Sequence, residues 1–476
     1  MKNIYNLLIT CFTASMLFTS CGEFGDLNLD PNRPSTPLTS SLLTGAERNV
    51  SSLIGDATST LYVQHLSEKQ YTEASRYQTI YFDFNGFYSG PLMNLQRIIE
   101  LNTNEETSGD VLAGGSNNNQ IAVARILRAL FFSVLTDRWG ELPYSQALQG
   151  ADNFSPTYDT QEFIYNDLLN ELKEAAAQIE VDQPGVTGDF LMSGNMENWR
   201  RYANSLRLVL ALRLSNVAPS IAQTNIQEAY AGGLITENFM YPYLADANNQ
   251  NPWFGRYLTR VDYAISDTMF DFLDPLNDPR LPVFADPAAA SGAINPMSYG
   301  VSNTVAGSIT NDAVSYLGME FRQQNSPLAI MTLAQLEFSL AEAAHRGFIA
   351  ESASAHYLNG IAESFTQFGV FNTNDYNAYI AQPEVAWDTN RAFELIGNQK
   401  WVALFLQGFE AWSEWRRLDF PSLSPAVDAL NQSRQIPRRQ AYPTTERDIN
   451  TTNYNESVAR QGEDTLDTRI WWDVNN

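Results

Sequence analysis

The sequence predicts a mainly helical fold interrupted by long irregular insertions. Three observations predict it. Apolar residues recur at helical spacing through 120–138, 161–180, 197–217, 328–346, 352–368 and 399–416. Between these runs, 71–91 and 236–327 mix Asn, Asp, Pro, Gly and aromatic residues with no such period. The length, 476 residues, exceeds one ordinary core, which predicts more than one lobe.

The N-terminal stretch is read as an address. Lys2 supplies a positive start, and Leu7 to Phe18 is mostly apolar but shorter than the roughly 20 residues of a bilayer-spanning helix. Small Thr19 and Ser20 precede Cys21. Residues 1–20 are therefore expected to be a secretory signal peptide, and Cys21 the acceptor of a lipid at a lipobox-like site, with Phe18 where Leu is commoner. Residues 21–40 carry Pro31, Pro34 and Pro37 among Gly, Asn and Ser, which predicts an extended tether between lipid and globule.

The body follows, at 41–476, with a helical scaffold mainly at 120–218 and 328–418. In the first run Ile121, Ile126, Leu130 and Val134 mark the repeat, and Gly140 and Pro143 end it. Leu168, Leu172 and Ile179 carry the next, and Trp199, Tyr202, Leu206 and Val209 the third. Residues 328–346 and 352–368 predict a helical hairpin, with Ala334, Ala341 and Ala344 on a narrow face, Gly347 at the turn and Ser352 capping the second helix. Such alanine-bearing pairs resemble tetratricopeptide repeats, although their period here is irregular. Trp401, Phe405, Gly408, Trp412 and Trp415 fall on one face of a helix at 399–416, where Arg416 is placed to lie over Trp412. The irregular lobe, mainly 71–91 and 236–327, is expected to hold short strands, turns and loops; 370–396 and 419–476 also read as irregular.

Composition excludes several function classes. With 29 basic and 54 acidic residues the net charge is -25, which repels phosphate backbones and argues against nucleic-acid binding. The only cysteines are Cys11 and Cys21, and the only histidines His65, His345 and His356, with no HxH or HExxH spacing. No metal site and no cofactor are expected. No nucleophile elbow or phosphate loop is present, so no catalytic residues are assigned and the chain is not expected to be an enzyme. A glycoside hydrolase, which needs only two well-placed carboxylates, is the enzymatic alternative.

Several segments, in order, resemble the SusD/RagB family and its SusD-like second branch: LNLDPNRPS (27–35), TDRWGELPYSQAL (136–148), DFLDPLNDPRLPVF (271–284), PLAIMTLAQLEFSLAEAAHRG (327–347), LIGNQKWVALFLQGFEAWSEWRRLDFP (395–421) and IPRRQAYPTTERDINTTNYN (436–455). The resemblance implies about four tetratricopeptide-like helical hairpins wrapped by a loop-rich lobe with few short strands. It implies a lipid-anchored, surface-exposed outer-membrane protein. Its partner would be a SusC-like, TonB-dependent barrel, and its ligand an oligosaccharide or, as in RagB-like relatives, a peptide. Within the hallmark segments the residues read as scaffold: Glu410 and Glu414 are expected to meet Arg416, Arg417, Arg438 and Arg439, while Asp278 bonds backbone beyond Pro279 and Arg280 bridges carbonyls.

Reversible capture of a sugar needs flat rings for its C–H faces and fixed donors and acceptors at their edges. Two clusters supply that mixture: Tyr77, Tyr81, Asn85 and Tyr88 in the first, and Trp253, Arg256 and Tyr257, beside Phe254, in the second. Each hydrogen bond contributes about 0.5–1.5 kcal/mol net, so affinity is expected to be modest. Rings and amides serve sugars and peptides alike, and the sequence leaves that choice open.

Overall fold

A computed structural model describes residues 37–474. The signal at 1–20, Cys21 and most of the tether lie outside the described residues; the tether's last positions, Thr39 and Ser40, already open the first helix.

The longer helices are α1 (Thr39–Ile54), α2 (Met93–Thr103), α3 (Asn117–Trp139), α4 (Gln161–Gln178), α5 (Met196–Arg213), α6 (Pro219–Ala231), α7 (Leu333–His345), α8 (Ala353–Gln367), α9 (Ala392–Ala403), α10 (Gly408–Leu418) and α11 (Thr451–Gln461). Successive helices pack as four hairpins, α2 with α3, α4 with α5, α7 with α8 and α9 with α10, and α7 also meets α9. The architecture is thus mainly α, as the sequence predicts. Side-chain caps start most scaffold helices: Ser116, Thr160, Asn195, Thr332 and Ser352 each accept a backbone N–H from the first turn, satisfying a donor that the helix itself leaves unpaired. The tight fit of α7 on α8 has a visible cause. A methyl at Gly360 would come within 2.7 Å of the Phe338 ring.

Strands are few and short: β1 (Leu66–Glu68), β2 (Leu142–Pro143), β3 (Tyr158–Asp159), β4 (Phe239–Tyr241), β5 (Tyr263–Ile265) and β6 (Leu328–Met331). They form three antiparallel pairs, β1 with β5, β2 with β3 and β4 with β6. The pairs of β1 with β5 and of β4 with β6 tie segments of the irregular lobe to partners distant in sequence, while β2 with β3 closes the connection between α3 and α4.

Several expectations are corrected. Residues 328–331 are a strand, not a first helical turn: Leu328–Met331 pairs with Phe239–Tyr241, and Thr332 caps the helix that follows. The helix expected at 399–416 is two. The break falls where Leu406 adopts a left-handed φ of 66° and where Gly408 meets Ser59 and Thr60 so closely that a Cβ would lie 2.4 Å from Thr60 N. The stretches at 370–396 and 419–476 contain helices at Thr373–Ile380 and Thr451–Gln461. The helices α1, α2 and α6 lie outside the runs singled out by periodicity.

The hallmark residues lie inside the scaffold. Arg417 grips buried Glu342 through both terminal nitrogens, each at 2.5 Å, and also reaches Glu414 at 2.7 Å. Lys400 meets the same Glu414 oxygen at 2.7 Å. Glu410 pairs instead with Arg213, which also holds Asp137 at 3.0 Å. Of the four arginines expected around Glu410 and Glu414, only Arg417 is a partner. Arg438 goes to Asp419 and Asp473, Arg439 to Asp464, and Arg416 donates to the Asp137 and Arg438 carbonyls while lying 3.7 Å over Trp412. Burial explains the sorting: a charge taken from water must find its counter-charge in the same pocket. Asp278 accepts the Arg280 backbone N–H at 2.9 Å, as expected. The Arg280 fork, however, meets side chains rather than carbonyls: Asp278, Ser364, Tyr379 and Gln399. His345 packs edge-on to Phe393, 4.9 Å between centroids.

Candidate functional site: an arginine-backed tyrosine face

The first aromatic segment leaves β1 and returns to the scaffold at Tyr88. Its start is fixed because Leu66 and Glu68 pair with Ile265 and Tyr263. Glu68 then closes the loop by accepting the Ser75 N–H at 2.8 Å and its hydroxyl at 3.0 Å. Burial, and secondarily the charges of Glu73 and Asp262, push the Glu68 carboxyl up to about 7 against the pull of the two Ser75 bonds. Thr72 N–H donates to Asn303 Oδ1 at 2.8 Å, and Asn303 donates back to Glu73. Further on, Ile80 and Phe82 exchange backbone bonds with Ala441, each at 3.1 Å. Two tyrosines of the loop, Tyr71 and Tyr77, hold left-handed φ of 53° and 66°. Such backbone persists in non-glycine residues only where surrounding contacts enforce it.

The loop sorts its aromatic residues by depth. Tyr77 is 1% exposed: its hydroxyl accepts the Ala426 N–H at 3.1 Å, and its ring meets Tyr62 edge-on. Burial pushes its phenol up to about 12. Tyr88 donates to the Pro143 carbonyl at 2.6 Å and packs on Phe84 and Phe132. Both are anchors rather than platforms. Tyr81, by contrast, is 40% exposed, and Arg447 lies 4.5 Å from its ring centre. Arg447 is itself held by Asp464 at 3.2 Å. Tyr71 is 61% exposed and backed in the same way by Arg260 at 4.6 Å, which Asp262 fixes at 2.5 Å. Asn85, half-buried, donates to the Thr445 hydroxyl at 3.1 Å, and its own N–H goes to Asp83.

The second predicted cluster is interior. Asn251 caps the short helix Pro252–Tyr257, and Trp253 is fully buried, edge-on to Tyr263 at 5.3 Å. Arg256 lies 4.5 Å from the Trp253 ring and donates to the Gly55 carbonyl at 2.8 Å. Tyr257 donates to the Tyr263 carbonyl with Arg322 over its ring. Trp253 and Tyr257 thus join the helix to Tyr263 in β5, and Arg256 joins it to Gly55. The structure therefore brings Tyr81 and Asn85 to one surface, turns Tyr77 and Tyr88 inward, and places Trp253, Arg256 and Tyr257 elsewhere.

Sequence reasoning did not single out Tyr71, Arg260, Arg447 or Thr445. Tyr71 stands in the same aromatic segment, but the arginines that back the rings come from distant stretches, and no local pattern announces the pairing. A cation over a ring is worth about 0.5–1 kcal/mol at exposed sites. It also restrains the tilt of the ring. Close to Tyr71 and Tyr81 in the chain stand polar groups that can meet hydroxyls: Glu73, which accepts from Asn303, and Asn85, which is bonded to Asp83 and Thr445. Elsewhere, among the described residues, no group of three or more His, Cys, Asp or Glu side chains is arranged to hold a metal. His65 is buried with its Nε2 at 3.0 Å from the Trp401 carbonyl, and burial lowers its pKa to about 3.

Comparison with known proteins gives consistent findings. The model of a SusD-like family, described as "Starch-binding associating with outer membrane", matches residues 31–443. No curated protein matches the chain in sequence. Among solved structures, one named a chitin-binding protein superposes with a TM-score of 0.80 at 26% identity, over 92% of this chain and 100% of its own. A SusD homolog from Bacteroides fragilis NCTC 9343 gives 0.77 at 25% identity, over 92% and 100%. A chitin-binding SusD homolog from Flavobacterium johnsoniae gives 0.77 at 23%, over 92% and 99%, a likeness of fold.

Proposed function

The chain belongs to the SusD-like family, and we propose that it is a surface-exposed lipoprotein that captures oligosaccharides and performs no chemistry on them. In this reading Cys21 carries the lipid, residues 21–38 act as tether, and the lobe built from 69–88 faces the ligand. A SusC-like, TonB-dependent outer-membrane barrel receives the captured solute. The observation that carries the reading is the pair of exposed tyrosines, Tyr71 and Tyr81, each with an arginine on one side and solvent on the other. Asn85 and Thr445 supply the hydrogen-bonding rim. The chitin-binding relatives of the same fold support a glycan as the ligand.

Aromatic contacts and hydrogen bonds of this kind add up to modest affinity, on the order of micromolar to millimolar. That suits a protein that must release its ligand to a transporter. The test is titration calorimetry of the lipid-free protein with starch-derived and chitin-derived oligosaccharides and, in parallel, with short peptides. Heat from a glycan alone is the expected result. Heat from peptides alone would replace the glycan by a peptide ligand, and cleavage of either would overturn the reading.

A further inference from the structure

A second cleft lies on the scaffold, outside the tyrosine face. It holds about 780 Å³ between α2, α3, α4 and the connection from β2 to β3. That volume falls within the roughly 300–1,000 Å³ typical of small-molecule sites. One wall is aromatic. Phe163 is 47% exposed and stands edge-on to Tyr144, 6.4 Å between centroids; Tyr144 in turn stands edge-on to buried Phe132 at 4.7 Å. The stack leaves Phe163 with solvent on its open side.

The rest of the lining is polar and fixed. Tyr144 donates to Asp167 at 2.6 Å. On the floor, Arg128 donates to Gln96 at 2.8 Å and to Glu171 at 2.9 Å, so its orientation is set from both sides. The rim is held as well: Ser145 N–H donates to Asp159 at 2.7 Å, and Leu148 and Gly150 take left-handed φ of 64° and 58°. An apolar ring beside a fan of side-chain amide, guanidinium and carboxylate groups is the combination a sugar requires, since it offers a C–H face and a ring of hydroxyls. Charge narrows the class. Arg128 is matched by Glu171 and Glu100 by Arg97, whereas Asp152 and Asp167 also line the cleft, so the lining is net negative.

We propose that this cleft is a second saccharide-binding site, taking a short neutral oligosaccharide and rejecting an acidic one. The choice of a sugar rests on the glycan reading above; the site itself rests on the cleft. Tyr88 links the two surfaces. It ends the tyrosine loop, yet its hydroxyl donates to the Pro143 carbonyl in β2 and its ring packs on Phe132 behind the cleft wall. A glycan chain held at one surface would then have a second point of attachment, which raises effective concentration without tightening either contact.

Hydrogen exchange measured by mass spectrometry on the lipid-free protein tests this. The probes are maltotetraose and chitotetraose, with tetragalacturonate as the acidic counterpart. Either neutral probe is expected to protect 144–152, and Phe163→Ala to weaken that protection at least tenfold in apparent affinity. Phe163 is exposed, so its replacement leaves the core untouched, and an unchanged melting temperature verifies this. The proposal is overturned if neither neutral probe protects 144–152, if Phe163→Ala has no effect, or if tetragalacturonate protects as well as they do. Protection at 69–88 is scored separately: its absence sinks the reading of the tyrosine face, while the cleft stands or falls on 144–152 alone.

Discussion

Two segments of this protein look alike as strings of residues and differ in space. Residues 71–88 and 252–257 both set aromatic side chains among polar ones. In the first, Tyr77 and Tyr88 are anchors tied to backbone groups, while Tyr71 and Tyr81 stand outward against Arg260 and Arg447. In the second, Trp253 and Tyr257 are both drawn inward, and the arginines beside them, Arg256 and Arg322, close over the rings. The difference teaches that an aromatic-polar mixture marks a segment that leaves the regular scaffold. Whether its rings face ligand or core is decided by what the neighbouring chain places behind them.

The comparison is sharpened first by Trp253→Ala. Removing a fully buried indole is expected to cost about 3–5 kcal/mol of stability, measured by denaturant unfolding. A loss below about 1 kcal/mol, the range of ordinary surface changes, would mean that the second segment is not part of the core. Next is Glu68, whose folded-state pKa of about 7 stands above the 4.5 of an unperturbed carboxyl. Because the fold favours the protonated form, this contribution is present below the unfolded value and is lost as pH rises through about 7; its full size is on the order of 3 kcal/mol. Exchange of the Ser75 amide, corrected for its intrinsic pH dependence, should therefore speed up between pH 5 and 8 (about the span of the shift). Glu68→Gln should flatten the profile, whereas the 252–257 amides should keep a flat one. A profile unchanged by Glu68→Gln would contradict the assignment.

A smaller effect is expected at Tyr77. Tyr77→Phe keeps the ring and removes the oxygen that accepts the Ala426 N–H, at a cost of about 1–2 kcal/mol by thermal or chemical unfolding. No measurable cost would mean that the amide finds another partner and that Tyr77 is not the pin of the loop.

How much of this was legible in the sequence follows from the range of each interaction. The scaffold helices show themselves because an apolar stripe repeats within a few residues, as in Ile126, Leu130 and Ile164, Leu168. The break at Leu404–Gln407 did not, because it is imposed from outside, by Ser59 and Thr60 against Gly408. Likewise 328–331 reads equally as helix or strand until Phe239–Tyr241 arrives to pair with it. Short apolar runs are ambiguous for that reason. At the candidate site, Tyr81 and Asn85 were legible because they stand together. The ring-backing arginines and the cleft beneath Phe163 were not, since each is assembled from segments far apart in the chain.

If Tyr71 and Tyr81 hold ligand while carrying little of the fold, removing both rings lowers affinity and leaves stability alone. Calorimetric titration of wild type and of Tyr71→Ala/Tyr81→Ala with the same neutral oligosaccharide, at concentrations that cover the weaker site, reads both affinity and fold integrity when paired with a melting curve. Two aromatic platforms at about 0.5–1.5 kcal/mol each predict at least about a fivefold loss of affinity with an unchanged melting temperature. Equal affinity in the two proteins, with the fold intact in both, would contradict the account.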